Sequence, residues 1–203
     1  VNTFNVNTLL VGGNRSSARF SFNDPALGSF VVRNRAGTGR AAINVGHSDT
    51  TTGATPTVTM DLSGHSVDIL ASTLSIGGRI GAGGANNTAN FTMSAGTLDA
   101  TSVIVGERRN TGTASASYSL TGTTTGTLTI AGGVVNIGAT GLNIAPSLST
   151  NVNNTAAGTV TISAGTVTIL GPVVLGSSSN ANGSSVASLI ITGGTVDVRN
   201  SIG

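Results

Sequence analysis

Seven carboxylates and two histidines are the side chains of this 203-residue sequence best suited to acid–base work or metal binding. On the repeat described below, one outward position reads Asn5, Val31, Asp68, Asp99, Asn136, Thr168 and Asp197. Asp68 and Asp99 then fall in adjacent copies. Two carboxylates so placed could hold Ca²⁺ or do acid–base work. Val31, Asn136 and Thr168 dilute the column, so a polar outer column with two solvated acids is the simpler reading. His47 and His65 stand 18 residues apart, each beside a glycine. With no cysteine and no clustered carboxylate beside them, they do not make a metal set. No Gly-x-Ser-x-Gly elbow sits between a strand and a helix. Gly81-Ala-Gly-Gly84 lacks the lysine and following helix of a phosphate loop. Arg108-Arg109 reads as part of a polar loop without interleaved aromatics, which gives no support to nucleic-acid binding. These residues therefore assign no catalytic group, no metal and no cofactor, and the chain is expected not to be an enzyme.

Threonine offers a sharper possibility. Thr57-x-Thr59, Thr127-x-Thr129 and Thr159-x-Thr161 are expected to face outward in one column, with Asn90-x-Thr92 between them. Such flat ladders resemble the ice-binding face of some solenoid antifreeze proteins. Against this, the next copy reads Ser188-x-Ile190, and threonine is in any case a good strand residue.

The elements that would position these residues repeat along the chain. The clearest copies are Phe91-Thr-Met-Ser-Ala-Gly-Thr-Leu98, Leu128-Thr-Ile-Ala-Gly-Gly-Val-Val135, Val160-Thr-Ile-Ser-Ala-Gly-Thr-Val167 and Leu189-Ile-Ile-Thr-Gly-Gly-Thr-Val196. Weaker ones are Val58 to Gly64 and Phe20 to Phe30. Anchoring glycines at 28, 64, 96, 133, 165 and 194 give a period near 33 residues. Within a copy, apolar and polar residues alternate with a period of two, the mark of a half-buried strand. A glycine then breaks the run, a second short strand follows, and a third ends at glycine, as in Val103-Ile-Val-Gly106. Strands this short are not stable as separate hairpins. Stacked in parallel, each pairs with its counterpart in the next copy. The expected fold is an all-β parallel β-helix (β-solenoid) of about six to seven coils, with three short strands per coil. Residues 1–203 form one repeat domain, a rod about 30 Å long at about 4.8 Å per coil. Its core ladder is Phe91, Leu128, Val160 and Leu189 in one column, and Met93, Ile130, Ile162 and Ile191 in the next.

Composition is consistent with this. Aromatics are 3% and charged residues 8%, which leaves few side chains for a solvated tail or a charged ligand surface. There is no cysteine, hence no disulfide or thiol chemistry, and every one of the nine cations is Arg. Residues 1–40 carry five Arg against Asp24, a net +4, and the remainder is net −2. Solvated loop charges account for this more simply than an anionic partner does. No segment approaches the roughly 20 apolar residues of a membrane helix. Asn14, Asn86, Asn90, Asn153 and Asn182 begin Asn-x-Ser/Thr sequons.

The phrases Val160 to Val167 and Leu189 to Val196, each followed by an Ile/Leu-Gly turn, resemble the β-strand repeats of autotransporter passengers. They are also similar to repeats of large secreted surface proteins of planctomycetes and verrucomicrobia. That resemblance implies a parallel β-helix, secretion across an outer membrane and an extracellular place on the bacterial cell surface or in its matrix. The barrel translocator and sorting tag of such families are not among these residues, and the export route stays open.

The chain starts without Met and in mid-repeat, so it is expected to be a processed protein or a segment of a longer one. The expected function is structural: a subunit stacking end to end into a surface fibre, sheath or adhesin stalk. Phe4, Val6, Leu9 and Val11 at one end, and Val196, Val198 and Ile202 at the other, would form the assembly layers. The partners are further copies head to tail, further coils of the same parent chain, or a surface polysaccharide. Neither nucleic acid nor membrane insertion is expected. The alternatives are a carbohydrate-binding or carbohydrate-cleaving β-helix, for which Tyr118 is the only tyrosine available, and an ice-binding solenoid.

Overall fold

A computed structural model describes residues 1–23, 28–48, 55–80, 86–109, 122–148, 154–178 and 183–203. Asp24, Asp49, Gly81 to Gly84, Tyr118, Asn153 and Asn182 lie outside them. The described residues form strands and turns with no helix. The strands are β1 (Asn2–Asn5), β2 (Thr8–Gly13), β3 (Ala18–Ser21), β4 (Ser29–Arg33), β5 (Ala41–His47), β6 (Thr57–Ile76) and β7 (Asn87–Val105). They continue with β8 (Arg108–Arg109), β9 (Gly122–Leu148), β10 (Asn154–Ile169), β11 (Val173–Ser178), β12 (Ser184–Ile191) and β13 (Thr195–Val198). Every pairing between them is parallel. The chain is a β-solenoid of stacked coils, close in number to the six to seven expected.

The three arms of a coil are visible, but in the middle of the rod they fuse. β6, β7, β9 and β10 run through the bends as strands of 20, 19, 27 and 16 residues. Pairing to the neighbouring coil skips a few residues at a corner and resumes directly after it. Gly96 shows what the first corner requires. Its φ is +84°, and a Cβ there would run into the Val67 backbone of the coil before it. An L-residue pays steric strain in that left-handed region, whereas glycine does not. The other anchoring glycines, at 28, 64, 133, 165 and 194, all have positive φ as well. At the corner after the third arm the same geometry recurs, and Ala145 adopts it with φ 56° in the variant copy Leu142-Asn-Ile-Ala145.

Inside, like residues stack. The first arm contributes Phe20, Met60, Phe91, Leu128, Val160 and Leu189 in register. Leu62, Met93, Ile130, Ile162 and Ile191 form the neighbouring column. The second arm contributes Phe4, Val32, Ile69, Leu98, Val135, Val167 and Val196. The third contributes Leu9, Ile43, Leu74, Val103, Leu142 and Val173, with Ile202 bridging to Val173. In the central coils these side chains are fully buried. Each contributes roughly 1.5–3 kcal/mol. At the N-terminal end Phe4, Phe20, Phe22 and Phe30 form an aromatic plug with centroid separations of 5.2–6.2 Å.

Candidate functional site

Alternation along the first arm sends every second side chain outward, and pairing in register turns these into rows. One row is Thr59, Asn90, Thr127, Thr159 and Ser188. The next is Asp61, Thr92, Thr129, Thr161 and Ile190. On the other side lie Thr57, Thr88 and Thr125, and beyond them Thr123 beside Thr155. Thr57 therefore does not share a column with Thr127. Its copy sits two residues out of the expected alignment, because Met60, not Val58, stacks on Phe91. The correction enlarges the face. Eleven threonines now share it, and four of them, Thr123, Thr125, Thr127 and Thr129, follow one another on β9. All but the exposed Thr57 are half-buried. The charges lie at its margins: Arg19 on the lowest rung, and Asp61, whose carboxylate accepts a 2.6 Å bond from the Ser63 hydroxyl. That bond, followed by the Ser63 backbone N–H and Arg19, outweighs desolvation and holds the Asp61 carboxyl below its usual range. Asn86 and Asn90, two of the sequon residues, also belong to this face. The Asn86 side chain accepts the Thr123 backbone N–H at 2.9 Å.

The acidic column expected on the second arm does not form. Asp68 aligns with Val31 and Thr97, whereas Asp99 aligns with Leu70, Asn136 and, further along, Thr168 and Asp197. The register shift between Leu62 and Ser66 absorbs extra residues at the corner and displaces Asp68 by two positions. Each acid is instead held by its own cation. Arg33 meets the Asp68 carboxylate at 2.5 Å and its carbonyl at 2.7 Å. Arg40 meets the Asp99 carboxylate at 2.9 Å and its carbonyl at 2.7 Å. Asp197 pairs with Arg199 at 2.7 Å. In each pair the guanidinium occupies carboxylate oxygen that a metal ion would otherwise use. Among the described residues no three His, Asp or Glu side chains gather to hold a metal ion.

The histidines occupy different corners. His65 is buried, stacks on Phe22 at 3.8 Å with 19° between the planes, and has Nδ1 3.1 Å from the Ser63 carbonyl oxygen. His47 ends β5 and packs against Gly78.

A polar seam inside the rod escaped the sequence reading. Arg108 belongs to a short strand, not a loop, and both it and Arg79 are buried. Ser48, Arg79, Arg108 and Ser147 pair in succession, one per coil. Asn87, Thr124 and Asn154 line the same seam. Arg108 reaches Asn154 Oδ1 at 2.7 Å and Thr124 Oγ1 at 3.4 Å, while Asn87 Nδ2 donates to the Gly46 and Gly78 carbonyls. Burial, then the charge of Arg79, lowers the Arg108 pKa to about 10; burial alone lowers that of Arg79. The signal was present: Ser48, Arg79, Arg108 and Ser147 each stand two places after the glycine, or Ala145, that closes a third arm.

The proposed assembly residues lie at the two ends. Phe4, Val6 and Leu9 are half-buried and Val11 is buried. Val196 and Val198 are half-buried, and Ile202 is 60% exposed. Of the core ladder, Phe91, Met93, Leu128, Ile130, Val160 and Ile162 are buried. Leu189 is half-buried and Ile191 is 51% exposed, although both stand in inward columns. They belong to the last rung, where no further coil covers them. No protein-family model, curated protein or solved structure matches this chain.

Proposed function

We propose that this chain is a structural, non-enzymatic β-solenoid module of an extracellular bacterial surface fibre, sheath or stalk. The observation that carries this reading is the state of the last rung. Ile191, Ile202 and Leu189 continue columns that are buried one coil earlier, and β12 and β13 each pair on one side alone. Unpaired strand edges above an open apolar core recruit another strand layer. The N-terminal rung offers the complementary surface, with β1, β2 and β3 paired on one side and Leu10 and Val1 exposed. The covering layer is a second copy added head to tail, or further coils of the same parent chain. Load then passes along the rod through backbone hydrogen bonds and stacked side chains.

Electron microscopy of the purified chain at rising concentration tests this directly. Threads one rod wide, lengthening with concentration, support it. Short rods of constant length at all concentrations, with activity on a polysaccharide, would replace it with the carbohydrate-active alternative. Protease shaving of intact cells producing the parent protein tests the surface location.

A further inference from the structure

We propose that the threonine face of the first arm binds ice. The inference is separate from end-to-end assembly and uses a different surface.

The face is a two-dimensional lattice. Rows repeat at about 4.8 Å between coils, and outward positions repeat at about 6.6 Å along a strand. Within the central rungs the register is unbroken: Thr88 pairs with Thr125, Thr92 with Thr129 and then Thr161, and Thr127 with Thr159. Shifts occur only beyond Leu62 and Ile162, at the corner. Each threonine presents one hydroxyl and one methyl, and its β-branch leaves few χ1 choices. The hydroxyl rows are thus ordered before any ligand arrives, which lowers the entropy lost on binding.

The chemistry of the face selects the occupant. A polyanion needs cations, and the central rungs carry none. A sugar surface is gripped by aromatic platforms, and the outward positions here hold no aromatic residue. A second copy laid side by side would have about 20 Å by 20 Å to share, or about 400 Å² by strand spacing. A stable protein interface takes about 800 Å² per partner and is anchored by aromatic or Arg side chains. Crystalline water needs none of these. It needs many weak, regularly spaced hydroxyls that replace lattice waters, separated by methyls that do not order water against the lattice. Strong charges would impose their own hydration, and here the charges stand at the margins.

The test uses the full chain. Ice recrystallisation is followed at constant subzero temperature, and adsorption of fluorescently labelled protein to a single ice crystal is imaged in parallel. The intact protein is expected to arrest grain growth and to coat defined planes. Thr127→Lys with Thr129→Lys should weaken activity by at least about tenfold, or about 1.4 kcal/mol of adsorption. Thr129→Val, which keeps the strand shape and removes one hydroxyl, should give a smaller loss with an unchanged circular dichroism spectrum. Thr168→Lys, on the second-arm face, should leave activity unchanged. Absence of both arrest and adsorption in the intact protein overturns the proposal, as does equal loss from Thr168→Lys. Binding to insoluble cellulose or chitin without ice adsorption assigns the face to a polysaccharide and also overturns it. Threads that form normally without ice activity sink this inference alone.

Discussion

Arg108 sits one rung beyond Arg79 in the interior seam, two buried guanidiniums in adjacent coils. Cations so close repel, and the repulsion adds to the desolvation that already lowers the Arg108 pKa to about 10. A basic group whose folded pKa lies below its unfolded value penalises folding while both states are charged. As pH rises past about 10, the folded state releases the proton first. The unfolded state then binds more protons, so stability rises with pH in that window.

The corresponding experiment compares the protein with Arg108→Met by urea unfolding between pH 8 and 11, about the range that brackets the shifted group. Whatever their offset near neutrality, the difference in unfolding free energy should move in favour of the unmodified chain as pH increases. A difference that stays flat through this range would mean that Arg108 keeps its proton at ordinary strength.

The ion pairs of the second arm make a different prediction. Arg40 spans two inter-coil steps, touching the Ala71 carbonyl at 3.2 Å on the way to Asp99. Asp68 is more than half exposed and Asp99 about a third. Exposed pairs couple by about 0.2–1 kcal/mol. Double-mutant cycles with Arg33→Ala and Asp68→Ala, and with Arg40→Ala and Asp99→Ala, should give couplings in that range that shrink at high salt. Millimolar Ca²⁺ should leave Tm unchanged, because each carboxylate already faces a guanidinium. A Ca²⁺-dependent rise in Tm that Asp99→Asn removes would restore the acidic-column reading.

These particulars show what was legible before the structure. The inward columns from Phe91 to Ile191 and the anchoring glycines were readable because both rest on local rules: alternation faces a strand inward, and a tight corner demands glycine. The misplacements of Thr57 and Asp68 have separate causes: Thr57 precedes any shift and is set by Met60, not Val58, stacking on Phe91, whereas Asp68 lies past the corner shift. Between Met60 and Asp68 the chain follows a wider corner, through Ser63, Gly64 and the buried His65, and sequence spacing does not report how a corner absorbs residues. The Arg79–Arg108 seam was hidden for another reason. Arginine is rarely fully buried, so a polar run after glycine reads as solvated loop. The repeat position, two places after the corner, was the only sign of it.

Gly96 supplies a test of the corner itself. Gly96→Ala would put a methyl group against the Val67 backbone and force an L-residue to φ near +84°. The left-handed conformation alone costs roughly 1–2 kcal/mol, and the clash adds to it. The variant should be destabilised by at least about 2 kcal/mol in urea, with a lower midpoint and an unchanged slope. Gly203→Ala, where nothing lies within 4 Å, is the control and should be neutral. If Gly96→Ala proves neutral as well, the corner adjusts in a way that its backbone geometry does not show.

Ile162 and Ile191 occupy the same inward column one rung apart, yet Ile162 is 1% exposed and Ile191 51%. An aspartate in place of Ile162 would bury an unpaired charge between two coils. Ile162→Asp should therefore lower stability by more than about 4 kcal/mol, the range reserved for buried charges and large core defects. Ile191→Asp leaves its charge half in water and should cost about 1 kcal/mol or less, near the ordinary value for a point change. Its effect should appear in assembly instead: folded rods, by circular dichroism and thermal melt, that no longer lengthen with concentration in sedimentation velocity. Threads formed by Ile191→Asp at the unmodified rate would show that the last rung is not an assembly surface. An Ile162→Asp variant that melts like the unmodified chain would put the first-arm column on the wrong face.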